Sequence, residues 1–205
     1  MKDAVDRLTP LGLIVLALLA EGDMHPYEMM RLLRMRRDDR LVTITNGTMY
    51  HTVARLEREG LVAEVGVDRD GNRPERTTYT VTDAGTRAVS EWVRRELPRI
   101  DRPAPFRIAL AEAHNLSLDE AAALLRERRT ALAASLEQHR VAYAAAVAKG
   151  VPLQYLLELD RERALIAGDL EWFESVIPRL EAGDIPWGSV APTERYLEQR
   201  KAARQ

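Results

Sequence analysis

The chain has 205 residues, 46% of them hydrophobic and 30% charged, and 30 Lys and Arg against 32 Asp and Glu leave a net charge of −2. That is the make-up of a folded protein of one or two domains, and it excludes a disordered chain. The absence of cysteine excludes disulfides, thiolate metal sites and cysteine nucleophiles.

Leu11 to Ala20 is the longest apolar run, about half of what a bilayer-spanning helix needs. Lys2, Asp3, Asp6 and Arg7 precede it with mixed signs, unlike a secretory signal. A cytoplasmic location with no membrane partner is therefore expected. Thr9-Pro10 reads as an N-cap followed by proline at the first helical position, opening a helix through Leu11, Ile14, Val15, Leu18 and Leu19 that Gly22 and Asp23 end. His25-Pro26-Tyr27 starts a second helix with Met29, Met30, Leu32 and Leu33 as its apolar side, and Arg31, Arg34, Arg36 and Arg37 on its polar face and C-terminal end.

Thr45-Asn46-Gly47-Thr48 caps a third helix reaching about Glu59, stopped by Gly60. Met49, Val53 and Leu56 fall at i, i+4 and i+7 and face the core. His51, Arg55 and Arg58 are expected to point away from that stripe, with Thr48 and Thr52 on its flanks. A recognition helix needs this division, one side buried and the other offering hydrogen-bonding side chains to a groove.

The period then changes. Leu61 to Val65 and Thr77 to Val81 are rich in β-branched and aromatic residues, as strands are, and Asp68 to Pro74 is a polar loop with an Asp-Gly turn signal. The hairpin so predicted carries Arg69, Arg73 and Arg76 in or beside its tip, within reach of phosphates or a minor groove. Thr82 caps a fourth helix with Ala88, Val89, Trp92 and Val93 on one face, ended by Leu97-Pro98. Helix, helix, helix, hairpin, helix is the winged helix-turn-helix order. Residues 1–97 hold 15 Lys/Arg and 16 Asp/Glu, so any nucleic-acid site must rest on local clustering of charge.

Ser117-Leu118-Asp119-Glu120 reads as a capping box for a helix running to about Lys149, with Leu118, Leu125, Leu132, Leu136 and Tyr143 in a heptad-like pattern interrupted by Arg129 and His139. Gly150-Val151-Pro152 breaks the chain. Leu156, Leu159, Ile166, Leu170, Phe173, Ile177 and Leu180 then mark another long helix with only Arg163 out of place. Two long helices joined by a short turn pack antiparallel. Their apolar surface exceeds what one pair hides, so a second copy is the expected partner and a homodimer the expected state. The fold class expected is mainly α with a small β-hairpin: a winged helix-turn-helix over residues 1–98, an antiparallel long-helix dimerisation arm over 99–183, and a tail over 184–205 containing Pro186-Trp187 and a short polar helix.

The N-terminal residues resemble the PadR-type transcriptional regulators. The resemblance lies in Thr9-Pro10-Leu11-Gly12-Leu13, Val15-Leu16-Ala17-Leu18-Leu19, His25-Pro26-Tyr27-Glu28, Asn46-Gly47-Thr48-Met49-Tyr50, Arg55-Leu56-Glu57-Arg58-Glu59-Gly60-Leu61 and Tyr79-Thr80-Val81-Thr82-Asp83-Ala84-Gly85. These segments span roughly the first 90 residues in the family's order. His51 departs from the proline the family often has there, which bears on the local path and contact role of that position. The second half resembles the longer members, whose C-terminal helices dimerise.

The resemblance implies a regulator of transcription, a repressor in the usual case, that binds double-stranded DNA. The two recognition helices of a dimer would enter successive major grooves of an inverted repeat, roughly 34–36 Å apart. The residues expected on DNA are Thr45, Asn46, Thr48, Tyr50, His51, Thr52, Arg55, Arg69, Arg73 and Arg76. Two readings of Trp92 stay open: it lines a pocket for an aromatic or planar small-molecule effector, or it packs in the core. No metal or cofactor is expected, because His25, His51, His114 and His139 share no helical spacing and no phosphate-loop or dinucleotide fingerprint occurs. Ser189 after Gly188 lacks the rest of a nucleophile elbow, and no enzyme activity is expected. A ligand-independent regulator and a helical protein-interaction module without DNA binding are the alternatives.

Overall fold

The computed structural model describes residues 2–68, 76–188 and 193–204. Three helices open it: α1 (Lys2–Arg7), α2 (Pro10–Ala20) and α3 (Pro26–Arg36). Each cap has a chemical cause. The Thr9 hydroxyl accepts the Gly12 N–H at 3.2 Å to start α2, and His25 Nδ1 accepts the Tyr27 N–H at 3.0 Å to start α3, both with proline at the first helical position. Arg37 ends α3 in the left-handed region at φ 60°, and a 3₁₀ turn, Asp38–Arg40, leads onward.

The next helix, α4 (Asn46–Arg58), begins with a reciprocal box of two threonines. The Thr48 N–H donates to the Thr45 hydroxyl at 3.1 Å, and the Thr45 N–H donates to the Thr48 hydroxyl at 2.9 Å. Strands β1 (Val62–Asp68) and β2 (Arg76–Val81) pair antiparallel from Val62 opposite Val81 to Asp68 opposite Arg76, with an irregularity between Glu64 and Gly66. Met24 extends this ribbon by exchanging both backbone hydrogen bonds with Tyr79, at 3.0 and 3.1 Å. Helix α5 (Asp83–Glu96) follows, capped by Thr82, whose hydroxyl donates to the Gly60 carbonyl at 2.8 Å and so ties the α4 terminus to the start of α5. The arrangement is a winged helix-turn-helix.

The core is one continuous cluster. Leu13, Val15, Leu16, Met24, Met29, Leu32, Met49, Leu56 and Val93 are all fully buried, and Trp92 sits among them at 1% exposure. Burial of each large side chain stabilises by about 1.5–3 kcal/mol, which is why the apolar spacing of α2 to α5 dictates their packing.

A junction follows that the periodicity did not announce. Helix α6 (Pro103–Ala111) buries Phe106, Ile108 and Ala109, and a 3₁₀ turn, Ala113–Asn115, leads into α7 (Leu118–Ala148). Glu96, fully buried, receives Arg95 at 2.7 Å and Arg102 at 3.1 Å. Arg128 of α7, 2% exposed, donates to the Arg99 carbonyl and lies 3.5 Å from the centre of the Phe106 ring. Burial pushes its pKa below the usual arginine value, with the charge of Asp169 opposing.

Helices α7 and α8 (Leu157–Glu181) form an antiparallel hairpin: Arg126 meets Glu181 at 2.8 Å, Arg129 meets Glu174 at 3.4 Å, and Arg163 lies over Tyr143. Leu125, Leu132 and Leu136 are buried with Ile166, Phe173, Ile177 and Leu180, as their spacing predicts. Ser117 caps α7 through the Glu120 N–H at 3.3 Å, but the expected box is only half formed. The Glu120 carboxylate is engaged by Arg94 of α5 instead of turning back to the cap. Helix α9 (Glu194–Arg204) packs against α3. No helix among the described residues is long and apolar enough to cross a membrane.

Candidate nucleic-acid interface

The side chains of α4 divide sharply. Met49, Val53 and Leu56 have at most 1% exposure, whereas Thr45, Asn46, Gly47, Thr48, Tyr50, His51, Ala54, Glu57 and Arg58 are exposed. Five of the expected contact residues, Thr45, Asn46, Thr48, Tyr50 and His51, therefore lie together on the exposed N-terminal half. Tyr50 is 46% exposed, and its ring meets His25 edge-on at 6.0 Å between centroids. His25 thus joins the cap of α3 to the open face of α4. Tyr27, 42% exposed, with Arg31 5.9 Å from its ring, extends the same rim along α3.

Two placements depart from expectation. Thr52 is buried at 7% exposure rather than flanking the open face, because it follows Met49 by one turn and is enclosed with Val53 and Leu56. Arg55 does not point outward. Its Nη2 donates to the Thr9 hydroxyl at 2.9 Å, and that oxygen also accepts the Gly12 N–H, so the α2 cap and α4 share one oxygen. A Cβ at Gly12 would lie 3.0 Å from Leu8 Cδ1 and 3.3 Å from Arg55 Nη2, so glycine there leaves room for the guanidinium.

The wing is partly described. Arg69 and Arg73 lie outside the described residues, and Arg76 is placed by its backbone alone, opening β2 opposite Asp68. Trp92 is enclosed in the core and not on an open surface.

Positive charge gathers at the C-terminal end of α3, where Arg34, Arg36, Arg37 and Arg40 line an open recess with Asp39. Arg36 is held there by Glu21 in a two-pronged ion pair at 2.8 and 2.9 Å. Burial pushes the Asp38 carboxyl above its usual value, with Arg36 and Arg40 opposing.

Residues 15–91 match the profile of the Transcriptional regulator PadR-like family. Among solved structures, the chain is similar to Bacillus subtilis PadR in complex with operator DNA, at 20% identity over 83% of this chain and 98% of that one, with a TM-score of 0.39. It is similar to Bacillus subtilis PadR in complex with p-coumaric acid at 19% identity over 84% and 99%, with a TM-score of 0.38. It is also similar to the PadR-like transcriptional regulator BC1756 from Bacillus cereus, at 17% identity over 84% and 98%, with a TM-score of 0.36. No curated protein matches the chain.

Proposed function

We propose that this chain, whose residues 15–91 match the PadR-like family, is a sequence-specific transcriptional regulator that binds an inverted-repeat operator as a homodimer and represses from it. The observation that carries this reading is the open N-terminal face of α4, where Asn46, Thr48, Tyr50 and His51 stand exposed on a helix whose other side is buried. In this reading Thr45, Asn46, Tyr50 and the wing arginines Arg69, Arg73 and Arg76 fix register on phosphates, while Thr48 and His51 read base edges. Arg55, tied to Thr9, positions α4 rather than touching a base.

Dimerisation is assigned to the arm, residues 99–183, apart from the winged unit at 1–98 and the tail at 184–205. Its support is the apolar surface left on the far end of the α7–α8 hairpin. Val141, Val147, Leu153, Tyr155, Leu157 and Leu165 are all between 44% and 72% exposed. A cluster of that kind is what a second copy would cover. Burial of Trp92 supports a packing role for it rather than an effector contact.

The deciding experiment is fluorescence anisotropy of the full chain on a labelled duplex drawn from upstream of its own coding sequence, at several salt concentrations. Binding about a thousandfold or more tighter than to random DNA, and weakening steeply with salt, is the expected result. No binding to any duplex at low salt would overturn the reading in favour of a helical interaction module.

A further inference from the structure

Tyr196, Arg200 and Arg204 recur every fourth residue on α9, so they share one helix face. That face lies along the α2–α3 corner, which is acidic. The Tyr196 hydroxyl donates to Glu21 at 2.7 Å, and its ring lies 4.9 Å from the Arg36 guanidinium. Arg200 donates to the carbonyls of Glu21 and Asp23 and pairs with Glu28 at 3.4 Å. Arg204 reaches the same Glu28 carboxylate at 3.2 Å.

The fit is close. Glu28 is 7% exposed, Ala203 is 1% exposed, and the Arg200 guanidinium lies 3.4 Å from where a Cβ on Gly22 would stand, at a residue whose φ of +137° already favours glycine. Tyr196 is at the Arg36 end of α3 and Arg204 at the Glu28 end, so α9 runs antiparallel to α3 and delivers its C-terminal end to the rim of the candidate interface. There Ala203 and Arg204 line a small recess with His25, Tyr27 and Thr78, and His25 touches Tyr50.

We propose that α9 is a working part of the DNA-binding surface: a basic helix that docks on the acidic α2–α3 corner, neutralises Glu28 and brings Arg204 to the edge of the recognition face. This rests on the DNA-binding reading above and answers its electrostatic weakness. The first 97 residues carry no net positive charge, and Glu28 stands one turn from the cap residue that contacts Tyr50. A buried carboxylate there repels phosphates unless it is paired. Helix α9 carries Arg195, Arg200, Lys201 and Arg204 against Glu194 and Glu198, which supplies both the pairing and a surplus of cations.

The test uses the full chain and the labelled upstream duplex. Three proteins are compared with wild type: Arg200→Ala/Arg204→Ala, Glu28→Gln, and the triple variant combining them. Melting temperatures are measured alongside, so that all are compared below their transitions. The arginine pair variant is expected to bind about tenfold more weakly at low salt, with the salt slope reduced by about 1–2. The triple variant is expected to regain most of that affinity without regaining the slope, a split that a merely stabilising helix would not produce.

Wild-type affinity in the arginine pair variant, or no recovery in the triple, overturns the proposal while leaving the DNA-binding reading in place. Failure of wild type to bind any duplex overturns both.

Discussion

The Arg55 guanidinium on α4 and the Thr9 hydroxyl that caps α2 stand 2.9 Å apart, joined across 46 residues of sequence. Helix α4 is thereby pinned to α2 by an oxygen that already serves a cap. Arg55→Ala is expected to cost about 1 kcal/mol, the range for one partly exposed charged hydrogen bond. Thr9→Ala should cost about 1 kcal/mol more than that bond alone, through loss of the cap. Denaturant unfolding of the single and double variants measures the coupling. The base preference of Arg55→Ala should match wild type in a binding-site selection, and a changed preference would return Arg55 to the bases.

Tyr50 makes the opposite prediction. It is nearly half exposed, and its ring meets the edge of His25. Tyr50→Ala should lower operator affinity about tenfold while changing stability by about 0.5 kcal/mol or less, as surface substitutions do. Anisotropy paired with thermal unfolding reads both; loss of stability without loss of affinity would make Tyr50 a packing residue.

Gly85 opens α5 against a wall. A Cβ there would collide with the Leu61 carbonyl oxygen, just before β1, and stand 2.7 Å from Cγ2 of Val81, which ends β2. Gly85→Ala is expected to destabilise by about 3 kcal/mol, because the nearest obstacle is backbone and cannot turn aside. Urea unfolding checks it, and a loss under about 1 kcal/mol would mean that α5 can shift as a body.

Trp92 is buried, whereas Trp172 is 41% exposed. In a variant with Trp172 and Trp187 changed to phenylalanine, the remaining emission should be blue-shifted and resistant to acrylamide. Trp92→Ala should cost about 3–5 kcal/mol, the range for emptying a large aromatic site. Saturable quenching by a panel of small aromatic acids would instead make it an effector contact.

Burial pushes the Glu112 carboxyl above the usual carboxylate range, with the charge of His114 and the hydrogen bond from Asn115 opposing. A carboxyl raised in the folded state holds its proton more tightly there than in the unfolded chain. Its contribution is full below the ordinary carboxylate pKa and is lost as pH rises through the folded value. Glu112→Gln is therefore expected to be more stable than wild type at pH 7, with the difference closing as pH falls to about 4. Thermal melts across that range test it, and a constant offset at all pH values would contradict the burial argument.

Much of the fold was legible along the chain because its signals are local. Thr9, Thr45, Thr82 and Ser117 cap the helices they were expected to cap, α3 starts at His25-Pro26-Tyr27 as expected, and the apolar spacing of α2 to α5, α7 and α8 is the spacing of their buried faces. Helix α6 was missed: nine residues with proline at two of the first three positions carry too short a period to stand out. Thr48 and His51 are exposed on α4, as their angle from the buried stripe implies. Thr52 lies near the boundary of the buried stripe, where angle does not decide, and it falls inside.

Outside α1 and α6, the residues by themselves determined where helices start and stop, which faces of them are apolar, and that a hairpin interrupts them. Those properties depend on neighbours within a turn or two. Only the tertiary structure decided where the long charged side chains end. Arg55 reaches back to Thr9, Glu120 turns to Arg94 and not to its own cap, and Arg200 and Arg204 cross from the tail to Glu28, 172 and 176 residues away. An arginine with four flexible torsions satisfies its charge wherever an oxygen lies within its reach, and which oxygens those are is a property of packed helices, not of sequence spacing.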